Sequence, residues 1–287
     1  MSGSHKADYV VRFLSLAATE RGSLRCTGPG FIAILFTPMT PQRIVSLVPS
    51  QTELLFDLGL DREIIGVTKF CMYPVDKVRD KTVVGGTKTL HLDRIRALRP
   101  DLIIANKEEN TRDQIEELQR HYPVHITDVT TLPDALTMIQ DVGQCVGKAP
   151  QANDMAQQIE RSFSLLPTPA APTLSVAYFI WRKPYMVAAG DTFIDAMLTA
   201  AGFRNAFAGQ TRYPEVSPDE LQRTRPDLIF LSSEPYPFAE KHVAEWRAVC
   251  PFARVRVVDG EVFSWYGSRL LRAADYFRNL HNELATT

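Results

Sequence analysis

Two segments of this chain repeat one another at a fixed offset, and that repeat limits the folds open to it. L-D-R-I-R-A-L-R-P-D-L-I-I runs from Leu92 to Ile104, and P-D-E-L-Q-R-T-R-P-D-L-I-F from Pro218 to Phe230. Asp93 and Asp219 stand 126 positions apart (219 − 93), and so do Pro100 and Pro226 (226 − 100). In each copy an acidic residue opens a short helix, Arg-Pro stops it, and Asp-Leu-Ile leads into an apolar strand. Two copies of one α/β unit predict two similar lobes with a cleft between them.

The stretch between the copies predicts what joins them. In Lys148–Thr173, Pro150 suits the first turn of a helix, where its missing N–H costs nothing. Ala152, Met155, Ala156, Ile159 and Phe163 then recur at helical spacing, and Pro167, Pro169 and Pro172 end the run. The expected fold is therefore α/β, with two parallel-sheet lobes joined by one long backbone helix. The boundaries follow: an irregular extension over 1–40, a first lobe over 41–147, the helix and its Pro-rich exit over 148–173, and a second lobe over 174–287. At 287 residues there is length for two cores.

Within the first lobe, strands are expected at Arg43–Val48, Ile64–Thr68, Val83–Gly86, Leu102–Ala105 and Val124–Thr127. A helix opened by a Ser50/Glu53 capping box is expected to close at Gly59, with others at His91–Leu98, Thr111–Arg120 and from Thr131 to Gly147. The second lobe repeats the scheme. Strands fall at Leu174–Trp181, Leu228–Leu231 and Val255–Val258, and helices at Thr192–Ala201, Pro218–Arg223, Phe238–Val249 and Gly267–Leu284. Asp259-Gly260 reads as a tight turn.

Ligands of open parallel sheets collect beyond the carboxyl ends of the strands. The residues expected there include Phe70, Cys71, Tyr73, Thr87 and Lys88, Lys107 to Asn110, Trp181, Arg182 and Tyr185. Arg212 and Tyr213, Ser233 to Tyr236, and Trp265 with Tyr266 complete the set. Flat aromatic walls with a basic rim (Lys69, Lys88, Lys107, Arg182, Lys183, Arg212) suit a large planar or chelate ligand that carries negative groups. The predicted ligand-binding set is Phe70, Tyr73, Lys88, Lys107, Trp181, Arg182, Tyr185, Tyr213, Tyr236, Trp265 and Tyr266.

The formal net charge of −1 offers no electrostatic reason to bind nucleic acid. Four scattered cysteines, Cys26, Cys71, Cys145 and Cys250, make no zinc framework, and no His/carboxylate cluster has metal-ligand spacing, so neither a metal site nor an intrinsic cofactor is expected. There is no G-x-S-x-G elbow, P-loop or G-x-G-x-x-G. The apolar runs in the first forty residues are too short or too interrupted for an export signal, and Met39, just before the first strand, is an alternative start.

RIVSLVPSQTELLFDLG, GVTKFCMYP, VGGTKTLHLDRIRALRPDLIIAN and RYPEVSPDELQRTRPDLIFLSS together resemble, in order and spacing, the helical-backbone substrate-binding proteins of ABC transporters. The likeness runs from Arg43 to Leu284 and is strongest to the cobalamin and ferric siderophore binders. It implies a two-lobed receptor with a stiff hinge, acting as a monomer without catalysis. The implied cargo is a cobalamin, ferric siderophore or haem-like chelate, delivered to membrane subunits from the periplasm. It also implies that Asp93 and Asp219 are paired docking positions, one per lobe. Tyr213 falls where cobalamin binders carry a pocket tryptophan and Phe70 where they carry a tyrosine, whereas Thr87 replaces another pocket tryptophan. The competing expectation is a cytoplasmic chelate-processing enzyme, chelatase-like, using Cys71 or His91.

Overall fold

The computed structural model describes residues 40–166 and 173–286. The N-terminal extension and the prolines of the expected helix exit (Pro167, Pro169, Pro172) lie outside the described residues.

The first lobe is built on β1 (Ile44–Ser46), β2 (Ile64–Val67), β3 (Thr82–Val83), β4 (Leu102–Asn106) and β5 (Val124–Thr127). Their order is β3-β2-β1-β4-β5, and every pair is parallel. The crossovers carry α1 (Pro49–Asp57), α2 (Val75–Val78), α3 (Leu92–Leu98), α4 (Arg112–Gln119) and α5 (Leu132–Cys145). Side chains alternate between two cores. Leu102 and Ile104 enter the core shared with the second lobe, while Ile103 and Ala105 face the core of the outer layer. A strand buried on both faces must be apolar at every position, which is why LIIA shows no polar alternation.

From α5 the chain passes into α6 (Ala149–Ser164), the backbone helix, with Pro150 in its first turn. Its buried face is Ala152, Ala156, Ile159 and Phe163. Sixteen residues span roughly 24 Å. Phe163 meets Phe277 edge-on at 6.1 Å, so the helix docks on the C-terminal helix. A Cβ at Gly143 of α5 would lie 2.1 Å from that of Ala152, so this helix crossing requires glycine.

The second lobe uses β6 (Ser175–Trp181), β7 (Met186–Val187), β8 (Arg204–Asn205), β9 (Leu228–Ser232) and β10 (Arg254–Val258), with α7 (Phe193–Ala200), α8 (Pro218–Thr224), α9 (Glu240–Val249), α10 (Gly260–Ser264) and α11 (Leu270–Ala285). β10, β9, β6 and β8 run parallel, but β7 pairs antiparallel with β6. β7 and β8 share one edge of β6, and both were too short to read from sequence. Val176, Tyr178 and Ile180 again face the shared core, and Ala177 and Phe179 the outer one.

The repeated Arg-Pro-Asp proves to be one junction used twice. Arg99 (φ 48°) and Arg225 (φ 45°) end their helices in the left-handed region, and the proline that follows cannot continue a helix. The aspartate after it ties down the first strand of its lobe. Asp101 accepts from the backbone N–H of Gln42 at 2.8 Å and of Arg43 at 2.9 Å. Asp227 accepts from Ser175 N–H at 2.8 Å and Ser175 Oγ at 2.6 Å. Those bonds to Ser175 hold the Asp227 carboxyl below its usual pKa. Its stabilising contribution is then complete above about pH 3.9 and is lost as pH falls through the lower folded value. Asp227→Asn is expected to lower Tm by roughly 2–4 °C at neutral pH, with the deficit closing in strong acid, as thermal melts across pH will read.

Two expected local features are corrected. Ser50 is not a helix cap, because Pro49 already occupies the first turn, Val48 is the N-cap, and Ser50 and Glu53 are buried within α1. Asp259-Gly260 is not a tight turn, because the Asp259 side chain accepts from Glu261 N–H and starts α10. The helix expected from Thr131 does start there, with Thr131 and Asp134 forming a capping box.

Candidate functional site

A cavity of about 730 Å³ opens where the strand ends of both lobes face each other. The first lobe contributes Pro49, Ser50, Phe70, Met72, Thr87, Lys88, Glu108 and Glu109, and the second Ile180, Ile194, Arg212, Tyr213, Glu234, Trp265 and Tyr266, among others. Of the predicted set, Phe70, Lys88, Tyr213, Trp265 and Tyr266 come together here.

On the first side, two buried asparagines position the loops. Asn106 Oδ1 accepts from Glu108 N–H at 2.8 Å and Glu109 N–H at 3.1 Å, turning the chain sharply after β4. Asn110 Oδ1 accepts from Asn106 N–H, and its Nδ2 donates to the Thr87 carbonyl at 3.1 Å. This pair fixes Thr87 and Lys88 against Glu108 and Glu109; Lys88 Nζ donates to the Glu108 carbonyl. Phe70, half exposed at 49%, packs over the turn at Gly86, where a Cβ would lie 3.3 Å from its ring.

On the second side, Trp265 follows α10. Its Nε1 donates to Glu234 Oε1 at 2.8 Å, which also accepts from Ser264 Oγ at 2.6 Å. Tyr73 meets the Trp265 ring edge-on at 5.8 Å, so it supports the wall without lining the cavity. Arg212 sits at φ +65°, an uncommon conformation for a side-chain-bearing residue, held by backbone bonds to Gly190 and Ala189. From there its guanidinium reaches across the mouth to Glu108 Oε1 at 2.9 Å. Burial and then the neighbouring Glu108 push the Tyr213 hydroxyl far up, so it remains a donor. Burial also raises the carboxyls of Glu109, with Glu108 adding to it, and of Glu234.

Beneath the cavity the lobes are pinned together. Arg269 Nε and Nη2 grip Glu53 Oε2 and Oε1 of α1 at 3.0 and 2.7 Å, while Nη1 reaches Glu261 Oε2 of α10 at 2.7 Å. The guanidinium lies 4.6 Å from the Tyr73 ring centroid and 4.7 Å from that of Trp265. Its side chain is 11% exposed, and those of Glu53 and Glu261 are 12% and 14%. Gly267 abuts Ser50, whose carbonyl oxygen would lie 2.8 Å from a Cβ there.

The other predicted residues lie elsewhere. Lys107 pairs with Asp128 at 2.5 Å on the surface. Arg182 and the Tyr185 hydroxyl both bind Glu245 of α9, at 2.8 and 2.7 Å. Trp181 meets Tyr236 edge-on, and Tyr236 packs on the outer core with Phe238. The expected basic rim is corrected accordingly, since two cations, Lys88 and Arg212, line the cavity beside three carboxylates, Glu108, Glu109 and Glu234. Cys71 is buried against Thr52 and Thr68 Oγ1, and burial pushes its thiol up, which does not suit a nucleophile. His91 lies exposed before α3. Among the described residues, no group of three His, Cys, Asp or Glu is placed to hold a metal ion.

Asp93 and Asp219 occupy equivalent first-turn positions of α3 and α8, one in each lobe. Both are exposed, Asp93 with 98% of its side chain accessible and Arg96 bonded at 3.0 Å.

The family model described as periplasmic binding protein matches residues 44–249. The vitamin B12-binding protein of Vibrio campbellii is 29% identical over 195 residues, covering 67% of this chain and 70% of that one. Two solved structures from Vibrio cholerae share the fold. The periplasmic vitamin B12-binding protein BtuF has a TM-score of 0.71 at 21% identity, over 85% of this chain and 99% of that one. The periplasmic haem-binding protein HutB has 0.72 at 20% identity, over 84% and 98%. One scaffold thus accompanies two ligand names, and the fold alone does not choose between them.

Proposed function

The chain belongs to the periplasmic binding protein family, and we propose that it is the substrate-binding protein of an ABC transporter, capturing a metal chelate of the corrinoid, haem or ferric siderophore kind. The observation that carries this reading is the cavity between the lobes, walled by Phe70, Trp265, Tyr213 and Tyr266 and roomy enough to bury a flat macrocycle. The names of the B12- and haem-binding relatives support the cargo class. A receptor of this kind works outside the cytoplasmic membrane as a monomer that brings no cofactor of its own.

Trp265 lines the cavity while Trp246 is fully buried elsewhere, so fluorescence quenching reports the site. Titration of the purified protein with cyanocobalamin, haemin and ferric siderophores should give saturable quenching with one class at micromolar affinity or tighter. Flat curves for every chelate would remove the reading. In the same reading Asp93 and Asp219 dock the receptor on basic side chains of the membrane subunits. Charge reversal at both (Asp93→Lys with Asp219→Lys) should abolish transporter-dependent uptake with ligand affinity unchanged. Uptake at the parental rate would show that these aspartates serve only their helix N-termini, a contribution of about 0.3–1 kcal/mol each.

A further inference from the structure

The charges in the cavity are not interchangeable, because Arg212 is neutralised by a carboxylate while Lys88 is anchored to a carbonyl and keeps its charge. Arg212 is paired with the Glu108 carboxylate at 2.9 Å, and Lys88 donates to the Glu108 backbone carbonyl. Tyr213 also turns its hydroxyl to Glu108. That leaves two carboxylates, one from each lobe. Glu109 accepts no hydrogen bond and joins no ion pair among the described residues, and its backbone is fixed by Asn106. Glu234 has one oxygen committed to Ser264 and Trp265, and the other is without a partner among the described residues. Both line the cavity, facing it from opposite lobes.

Tyr266 lines the same cavity from the second lobe, 6% exposed, with its hydroxyl buried beside Ser50 of the first. Free carboxylate oxygens are met by N–H or O–H donors, whereas a ligand anion placed beside them would be repelled in a low-dielectric cleft. Burial is the first cause that raises both carboxyls, with Glu108 adding to it at Glu109.

We propose that Glu109 and Glu234 determine specificity, so that the cleft accepts a chelate whose periphery carries hydrogen-bond donors such as carboxamides and rejects one whose periphery carries ionised carboxylates or catecholates. This deepens, and rests on, the reading of the cleft as a metal-chelate site. It reverses the sign of the ligand expected from the basic residues of the sequence.

The test uses two ligands with one ring system. Dicyanocobinamide carries carboxamides at its edge, and dicyanocobyrinic acid carries carboxylates at the same positions. Titrated calorimetrically into the full chain near neutral pH, the amide ligand should bind at least about tenfold more tightly. Glu109→Gln, which breaks no side-chain hydrogen bond or ion pair among the described residues, should narrow that ratio severalfold, and adding Glu234→Gln should narrow it further. Equal or tighter binding of the acid overturns the proposal, as does a ratio indifferent to Glu109→Gln. Tight binding of haemin or a ferric tris-catecholate, with the cobinamide excluded, overturns it while leaving the chelate reading in place. No binding of any chelate overturns both.

Discussion

Arg269→Met is expected to destabilise the protein by about 3–5 kcal/mol, because it strands Glu53 in the interface without a counter-ion. Glu53 is 9% exposed, and burial already holds its carboxyl above the usual range even with Arg269 in place. Removing the guanidinium leaves burial and the Asp57 charge opposed only by the more distant Arg272, so Glu53 must either carry an unpaired charge or take up a proton on folding. A fall in Tm on the order of 10 °C at neutral pH follows. The sign of its pH dependence is fixed. A carboxyl with a raised folded pKa binds a proton more readily folded than unfolded, so the penalty shrinks as pH falls through that value. Glu53→Gln in the same background should recover much of the loss. A neutral-pH Tm within 2–3 °C of the parent, or a deficit independent of pH, would show the triad to be of little consequence.

Trp265→Ala is expected to weaken ligand binding by about 2 kcal/mol or more, roughly thirtyfold. The indole lines the cavity and is held by Glu234, Tyr73 and Arg269, so it is ordered before any ligand arrives. Trp265→Phe keeps a ring but loses the bond to Glu234, and should fall between parent and Ala. Trp181→Ala is the informative contrast. Trp181 is 39% exposed, donates to the Lys183 carbonyl and lies outside the cavity lining, so its removal should leave affinity unchanged. Calorimetric titration of the three variants decides this; an equal loss for Trp181 and Trp265 would contradict the placement of the wall.

Much of the architecture was legible because the repeat encodes its own stops. Arg-Pro ends a helix by local sterics, and the Asp that follows clamps the neighbouring strand, so neither needs distant context. The backbone helix was legible for the same reason, with Pro150 at one end and an apolar stripe along one face. What failed depended on partners far away in sequence. β7 and β8, two residues each, exist only because β6 offers them an edge. The strand-end rule found Phe70, Lys88, Tyr213, Trp265 and Tyr266. It misplaced Arg182 and Tyr185, because Glu245, sixty residues on from Tyr185, draws both toward α9. Counting cations overstated the positive rim, since composition does not reveal that Lys107 is spent on Asp128 and Arg212 on Glu108. The free carboxylates of the cleft were in view as residues, but nothing local distinguished them from a solvated helix start.

The Glu53–Arg269–Glu261 triad also bears on how a transporter would tell a full receptor from an empty one. If this triad holds α1, α10 and the start of α11 together in both states, the span between the two proposed docking aspartates would be set by the fold and not by the cargo. Empty and loaded receptors would then present the same two-point plug to the proposed transporter, and both would occupy the same socket. Uptake would rise with receptor concentration only while loaded copies outnumber empty ones, and excess empty receptor would act as a competitive inhibitor of import. Occupancy would be signalled by what happens at the mouth, where Glu108 and Arg212 meet across the gap, rather than by the jaws themselves.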